Sequence, residues 1–287
     1  MKDKHRQISL SRFCRLLGIT RQAYYQHFWL EEFNEIEHTL VLAEVHRIRE
    51  RHRHMGGRKL YQMLQSFFLE HKIKMGRDAL FDLLQANHLL VRRRKRRIYT
   101  TQSFHWLRKY PNTIKRLVPY RPNQLWVSDI TYWKIDTGYV YISLITDAFS
   151  HKIVGYHLAD SLETMQTIKA LKMALEKLPP DHGGLTHHSD RGIQYCSAEY
   201  VQLLSSAGIK ISMTETGDPR DNAIAERVNG ILKEEYLGDY SAGNLEQGRM
   251  ILDFVVSLYN EERPHMSCDY KTPMSVHNRE INVLKYG

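Results

Sequence analysis

Apolar residues recur at two different periods along this chain, and the change falls near residue 120. In the front part they stand three and four apart, the spacing that lines one face of a helix. ISLSRFCRLL is amphipathic, Gly18 supplies a turn, and Thr20 is placed to cap TRQAYYQHF. This predicts two short helices over residues 8 to 28 that present Arg21, Gln22 and Tyr25 outward. IEHTLVLAEVHRIRERH, GGRKLYQMLQSFFLEH and GRDALFDLLQANHLL then predict three further helical stretches over 33 to 90. Beyond Pro122 the period changes to two. QLWVSDITYWKI, YVYISLITDAF and KIVGYHLA are rich in β-branched and aromatic residues and are separated by turn signals, so they read as an antiparallel meander. SLETMQTIKALKMALEKL predicts a helix, GLTHHSD a strand, SAEYVQLLSSAG a helix and IKISMT a strand. Mixed β followed by alternating β and α specifies a sheet flanked by helices.

The last strand leads to DPRDNAIAERVNGILKEE, which carries two stripes. Asp218 can cap a helix here and Pro219 suits its first position, with Ile224, Val228, Ile231 and Leu232 at helical spacing for burial. Almost opposite, Asn222, Glu226, Asn229 and Lys233 follow one another at four, three and four residues, so they share one polar face.

Three acids in this part stand where chemistry is expected. Asp129 sits in the middle of an apolar strand pattern, where a charge is costly unless a partner or a cation compensates it. Asp190 ends a strand, and Glu226 lies on the polar face of the helix. Taken without Asp129, Asp190 reads as a turn cap before Arg191-Gly192 and Glu226 as a solvated helix residue. Together with Asp129 they can converge on divalent metal. Hard Mg²⁺ takes oxygen ligands, and two ions about 4 Å apart can activate a nucleophile and stabilise a leaving oxygen in phosphoryl transfer.

WVSDIT, HSDRGIQY, DNAIAERVNGILKEE and YNEERPH, in that order, resemble the catalytic domain of DDE transposases, specifically the orfB product of the IS-three insertion-sequence family. The resemblance implies an RNase H-like α/β fold, of the integrase type, behind an all-α region of helix-turn-helix character. It makes Asp129, Asp190 and Glu226 the catalytic and metal-binding triad, with 35 residues between the last two as in that family and retroviral integrases. Lys233, seven beyond the glutamate, matches the family's basic position. Two departures stand out: Glu215, where many relatives carry a basic residue, and Ile193, where serine is usual.

Charge separates the two parts further. Residues 1 to 118 hold 25 Lys and Arg against 10 Asp and Glu, whereas 119 to 287 hold 16 against 22. A basic front is the footprint of phosphate-backbone binding, and an acidic back suits a unit that collects cations. The unbroken run Arg92, Arg93, Arg94, Lys95, Arg96 and Arg97 is expected to contact DNA phosphates, with nearby aromatics able to stack; a solvated tail is the plainer alternative. The 8–28 pattern fits a DNA-reading helix-turn-helix as well as a plain helical hairpin. The expected division is a helix-turn-helix-like segment 1–30, a helical DNA-binding region 31–97, a linker 98–120 and the catalytic domain 121–287. Three scattered cysteines offer no disulfide framework, and neither a secretory signal nor a membrane-length apolar run is present. A reducing cytoplasm is expected, with nucleoid association when DNA is bound.

Several residues read as structural instead. Asp147 is expected to accept hydrogen bonds in a turn. His187 and His188, adjacent on a strand, point to opposite faces and cannot both join Asp190 on one ion. For Tyr259, Asn260, Arg263, Pro264 and His265 a structural role and a DNA-proximal one stand level. The reading reached is a transposase that cleaves and joins DNA at the ends of its element, using two Mg²⁺ ions, or Mn²⁺ in their place. Asn222, Lys233, Arg21 and the basic run are its expected DNA contacts. Double-stranded DNA, further copies of the chain and an upstream orfA product are the expected partners. A nuclease of the same fold without strand transfer, or an inactive DNA-binding relative, is the alternative.

Overall fold

The computed structural model describes residues 9–91, 106–115, 117–215 and 222–278. The chain forms two compact units, one of residues 1–50 and 63–90, the other of 51–62 and 91–287.

The first unit is helical. α1 (Leu10–Leu16) starts where the Ser9 side chain accepts from the Arg12 amide, and it stops at Gly18, whose φ of +67° suits a residue without Cβ. The Thr20 hydroxyl then accepts from the Ala23 amide at 3.0 Å and starts α2 (Arg21–Arg51). The expected short second helix is therefore part of a 31-residue one. Nothing between Trp29 and Glu35 is Gly or Pro, so no residue there interrupts the hydrogen-bond ladder. α3 (Gly57–Met63) falls almost wholly in the second unit, and α4 (Gln65–Glu70) and α5 (Arg77–Ala86) return to the first, α5 burying Leu80, Leu83 and Leu84 along one stripe.

The second unit is built on a five-stranded sheet of order β3-β2-β1-β4-β5. β1 (Leu125–Ile135), β2 (Gly138–Asp147) and β3 (Ile153–Ala159) make the expected antiparallel meander. β4 (Thr186–Ser189) and β5 (Lys210–Met213) add in parallel beside β1, each reached through helix: α6 (Thr164–Glu176) precedes β4, while α7 (Ile193–Cys196) and α8 (Ala198–Ser206) precede β5. α9 (Ala223–Ile231) runs into a π-helical turn, Leu232–Tyr236, and α10 (Leu245–Ser257) into another, Leu258–Glu262.

Strand alternation gives the sheet two apolar faces, each with its own core. Trp133, Ile135, Val140, Ile142 and Leu144 pack with Val228, Ile231 and Leu232 of the α9 segment and Leu252, Val255 and Val256 of α10. On the opposite face Trp126, Ile145 and Val154 pack with Ile168 and Leu171 of α6 and Tyr200 and Leu204 of α8. Odd-numbered β1 residues thus face α9, and Asp129 is one of them. The sheet's β5 edge is partly covered by the chain that leads into the unit: the Met213 amide donates to the Pro111 carbonyl, and the Thr113 amide to the Ser212 hydroxyl.

Candidate active site

Asp129 and Asp190 are brought side by side by parallel pairing. Trp126 pairs with His187 and Val127 with His188, so two residues further along Asp129 stands level with Asp190, one residue past the end of β4. The turn after β4 is tight: Asp190 Oδ1 accepts from the Gly192 amide at 2.9 Å, and a Cβ at Gly192 would come within 3.0 Å of that same oxygen.

The polar stripe of the glutamate helix lies along β1. Asn222 Nδ2 donates to the Ser128 carbonyl at 3.0 Å, and Asn229 Nδ2 donates to Asp129 Oδ2 at 2.7 Å. Lys233 Nζ donates to the Thr131 hydroxyl at 3.1 Å and lies 3.5 Å from the centroid of the Tyr132 ring. Three of the four stripe residues are thus bound to β1, while Glu226 stands exposed on α9, one turn before Asn229. Ala225, Val228, Ile231 and Leu232 fill the buried stripe; Ile224, expected with them, is only partly buried. The helix starts after Asn222, whose side chain makes no capping hydrogen bond, and Asp218 and Pro219, the expected cap and first residue, lie outside the described residues.

These carboxylates repel one another. Burial, then the charge of Asp190 and more weakly that of Glu226, pushes the Asp129 carboxyl up to about 7, against the hydrogen bonds from Asn229 and the Ile130 amide. Burial alone raises Glu226. Burial lowers Lys233, which Asp129 partly offsets. Among the described residues no three His, Cys, Asp or Glu side chains already converge closely enough to hold a metal. The donors that do gather are oxygens: two adjacent carboxyls, plus the buried Asn222 Oδ1 and Asn229 Oδ1, neither of which has a hydrogen-bond partner among the described residues. Such a set, anionic and all-oxygen, fits a hard divalent cation.

Several other residues singled out in the sequence make hydrogen bonds within the unit. Asp147 is fully buried and accepts from the Asn123 and Ser150 amides and the Ser150 hydroxyl. His187 binds the Ser128 and Tyr200 hydroxyls through Nε2, while His188 binds the Ser212 hydroxyl. Asn260 pairs with both the amide and the carbonyl of Ile153, and Tyr259 donates to the His151 carbonyl. Arg263 makes a bidentate pair with Glu235, at 2.8 Å on each arm, inside the unit. Glu215 pairs with Lys115, Ile193 is exposed, and Arg21 is exposed on the first turn of α2. The run Arg92 to Arg97 lies outside the described residues. Sequence reasoning missed Glu235 and Tyr195, the last residues of DNAIAERVNGILKEE and HSDRGIQY, whose place inside those motifs is the signal that could have found them.

Two family models, both described as Integrase core domain, match residues 119–219 and 207–273. A 31 kDa protein of insertion element IS600 from Shigella sonnei is 34% identical over 88% of this chain and 92% of its own. The transposase for insertion sequence element IS629 from Shigella sonnei is 35% identical over 75% of this chain and 70% of its own. Transposase InsF for insertion sequence IS3A of Escherichia coli K12 is 25% identical over 97% and 98%. Among solved structures, the HTLV-2 integrase catalytic core domain aligns with 55% of this chain and 97% of its own, at 24% identity and a TM-score of 0.45. The sheet order, the parallel placement of Asp129 beside Asp190 and relatives that span nearly the whole chain agree, and the chain belongs to the DDE transposases of the IS3 insertion-sequence family, enzymes that cleave DNA and transfer its strands.

Proposed function

We propose that Asp129, Asp190 and Glu226 are the carboxylates that carry this chemistry at the ends of an insertion sequence. The observation behind this reading is the Asp129 carboxyl, which Asn229 on α9 holds by a hydrogen bond and which burial, then the charge of Asp190 just past the neighbouring strand, pushes up. A like-charged buried pair is costly unless a cation neutralises it. Asp129, Asp190 and Glu226 would hold two Mg²⁺ ions, or Mn²⁺ in their place, which would supply the positive charge that activates a water or a 3′-hydroxyl and stabilises the leaving oxygen. Asp129 and Asp190 present carboxylate oxygens from the sheet, and Glu226 adds a third from the helix. Asn229 fixes the Asp129 carboxyl through Oδ2, and the Gly192 amide fixes Asp190 through Oδ1. With its carboxyl pushed up to about 7, Asp129 binds a cation in competition with a proton, which links cation affinity to pH. Water attacks a phosphodiester at the element's end and displaces a 3′-hydroxyl, and that hydroxyl attacks a second phosphodiester and displaces the 3′-oxygen there; no protein nucleophile is used.

Cleavage and joining assays on labelled end DNA test the assignment. Asp129→Asn, Asp190→Asn and Glu226→Gln should each abolish both steps and leave DNA binding intact. Wild-type joining by any of them would remove that residue from the set. A variant that cut but never joined would favour a nuclease.

We assign Lys233, Asn222, Arg21 and the run Arg92, Arg93, Arg94, Lys95, Arg96 and Arg97 to DNA contact. Lys233 lies two turns past Glu226 on the same face, and among the described residues its partners are a hydroxyl and a ring, with no anion in hydrogen-bond reach. In the same assays Lys233→Ala should lose joining with little change in melting temperature. For the run, the check is the slope of log affinity against log salt, which falls by roughly 0.9 for each phosphate that neutralising substitutions leave uncompensated. The basic and acidic division of charge supports residues 1–97 as the DNA-binding part and 121–287 as the catalytic part, joined by 98–120. Copies of the chain bridging two ends, and an orfA product, complete the proposed assembly. Sedimentation with and without end DNA checks it.

A further inference from the structure

Tyr195, five residues beyond Asp190, sits on the short α7 directly after the Asp190–Gly192 turn. Its ring is packed edge-on against Tyr200, with centroids 5.4 Å apart, and tilted against His187 at 6.3 Å. The side chain is 3% exposed, yet among the described residues its hydroxyl has no hydrogen-bond partner. Tyr200 provides the contrast, since its equally buried hydroxyl reaches His187 Nε2 at 3.0 Å. A buried hydroxyl without a partner is costly, and phenylalanine would fill the same space without that cost. What surrounds the group gives the hydroxyl a use. A Cβ at Gly192 would lie 3.0 Å from Asp190 Oδ1 and 3.5 Å from Tyr195 Cδ2, so carboxyl and ring lie against the same turn. Burial, then the charges of Tyr200, Asp190 and Asp129, keep the phenol protonated, so it is a donor placed in the field of the carboxylate pair.

We propose that Tyr195 is a positioning residue of the cation site, its hydroxyl donating a hydrogen bond into the oxygen shell that the carboxylates and water form around a divalent cation. This rests on the assignment of Asp129 and Asp190 to that site. The hydroxyl is unsatisfied without the cation and satisfied with it, so the group favours the loaded state over the empty one. Hydrogen bonds beyond the ligands themselves hold ligand oxygens in place and tune affinity in this way.

Mn²⁺ binding to the full chain without DNA, followed by electron paramagnetic resonance of the free ion, tests this alongside melting with and without Mg²⁺. Tyr195→Phe should bind Mn²⁺ about five- to tenfold more weakly, the loss expected for one hydrogen bond. Its melting temperature without cation should equal or exceed that of the wild type, since only an unsatisfied group is removed. Tyr200→Phe, which removes a satisfied hydroxyl, should instead melt lower and bind Mn²⁺ as the wild type does. If Asp129→Asn loses Mn²⁺ while Tyr195→Phe binds it like the wild type, this inference is overturned and the carboxylate assignment stands. If Tyr195→Phe melts lower by the same amount with and without cation, the hydroxyl is structural and the inference is likewise overturned. If the wild type binds no Mn²⁺, or Asp129→Asn and Asp190→Asn bind it equally well, the carboxylate assignment falls and this inference with it.

Discussion

A single aspartate shows how placement changes a side chain's chemistry. Asp129 has the ordinary carboxyl of any aspartate, but between β1 and α9, beside Asp190, its pKa rises from 3.8 to about 7. The folded protein without cation therefore binds a proton more tightly than the unfolded chain does. The stability this gives is fully present below pH 3.8 and is lost as pH rises toward 7. The whole effect is at most about 4 kcal/mol, from about three pKa units at 1.36 kcal/mol each. Through this group, cation-free protein is expected to be less stable at pH 8 than at pH 5.5, and Asp129→Asn should flatten that part of the melting profile. Mg²⁺ should raise the wild-type melting temperature more at pH 8 than at pH 5.5. A pH profile identical in wild type and Asp129→Asn would show that the carboxyl is not raised.

At the scale of elements, the site depends on how closely helices approach the sheet. On one face α9 lays Asn222, Asn229 and Lys233 along β1, from the Ser128 carbonyl to Thr131. On the other face α6 comes so near β3 that only glycine fits at position 155: a Cβ there would be 2.2 Å from the Ala170 carbonyl oxygen and 2.9 Å from Ala174 Cβ. Backbone cannot yield as a flexible side chain does, so Gly155→Ala should push α6 off the sheet. A loss of about 3 kcal/mol is expected in urea unfolding, at the upper end for an overpacked core. A loss under about 0.5 kcal/mol would mean that α6 is free to shift.

The second unit as a whole is tied together by a buried ionic cluster remote in sequence. Glu235, on the π-helical turn after α9, accepts both arms of Arg263 and also Lys59 at 2.6 Å. Residues 51–62 attach there by further pairs: Arg51 and His52 with Glu262, His52 with the Tyr236 hydroxyl, and His54 with Asp239. Arg263 is 1% exposed. Removing one partner of such a pair strands the other charge, so Arg263→Ala should cost about 3–5 kcal/mol, whereas the half-exposed pair of Arg51 should cost under about 1 kcal/mol when broken. Unfolding titrations of the two variants check the order. Equal small losses would mean that Glu235 finds other compensation.

Much of this molecule is readable from its residues in order. The meander, the later alternation of strand and helix and the Asn222-to-Lys233 stripe are local patterns, because period two and period 3.6 are properties of a strand and a helix themselves. The charge division and the motifs around Asp129, Asp190 and Glu226 are also written in the chain. Folding alone decided the rest. Periodicity suggests two separate helices where the folded chain has the single α2. For Arg263 the sequence leaves a structural role and a DNA-proximal one level, and its bidentate pair with Glu235, 28 residues away, exists only in the packed fold. Tyr195 reads as one more aromatic of a core until its hydroxyl is found without a partner near two carboxyls. Sequence sets which groups an element can offer and on which face. Which groups meet, how far their charges repel and which are left unsatisfied depend on distances between elements, and those exist only in the packed fold.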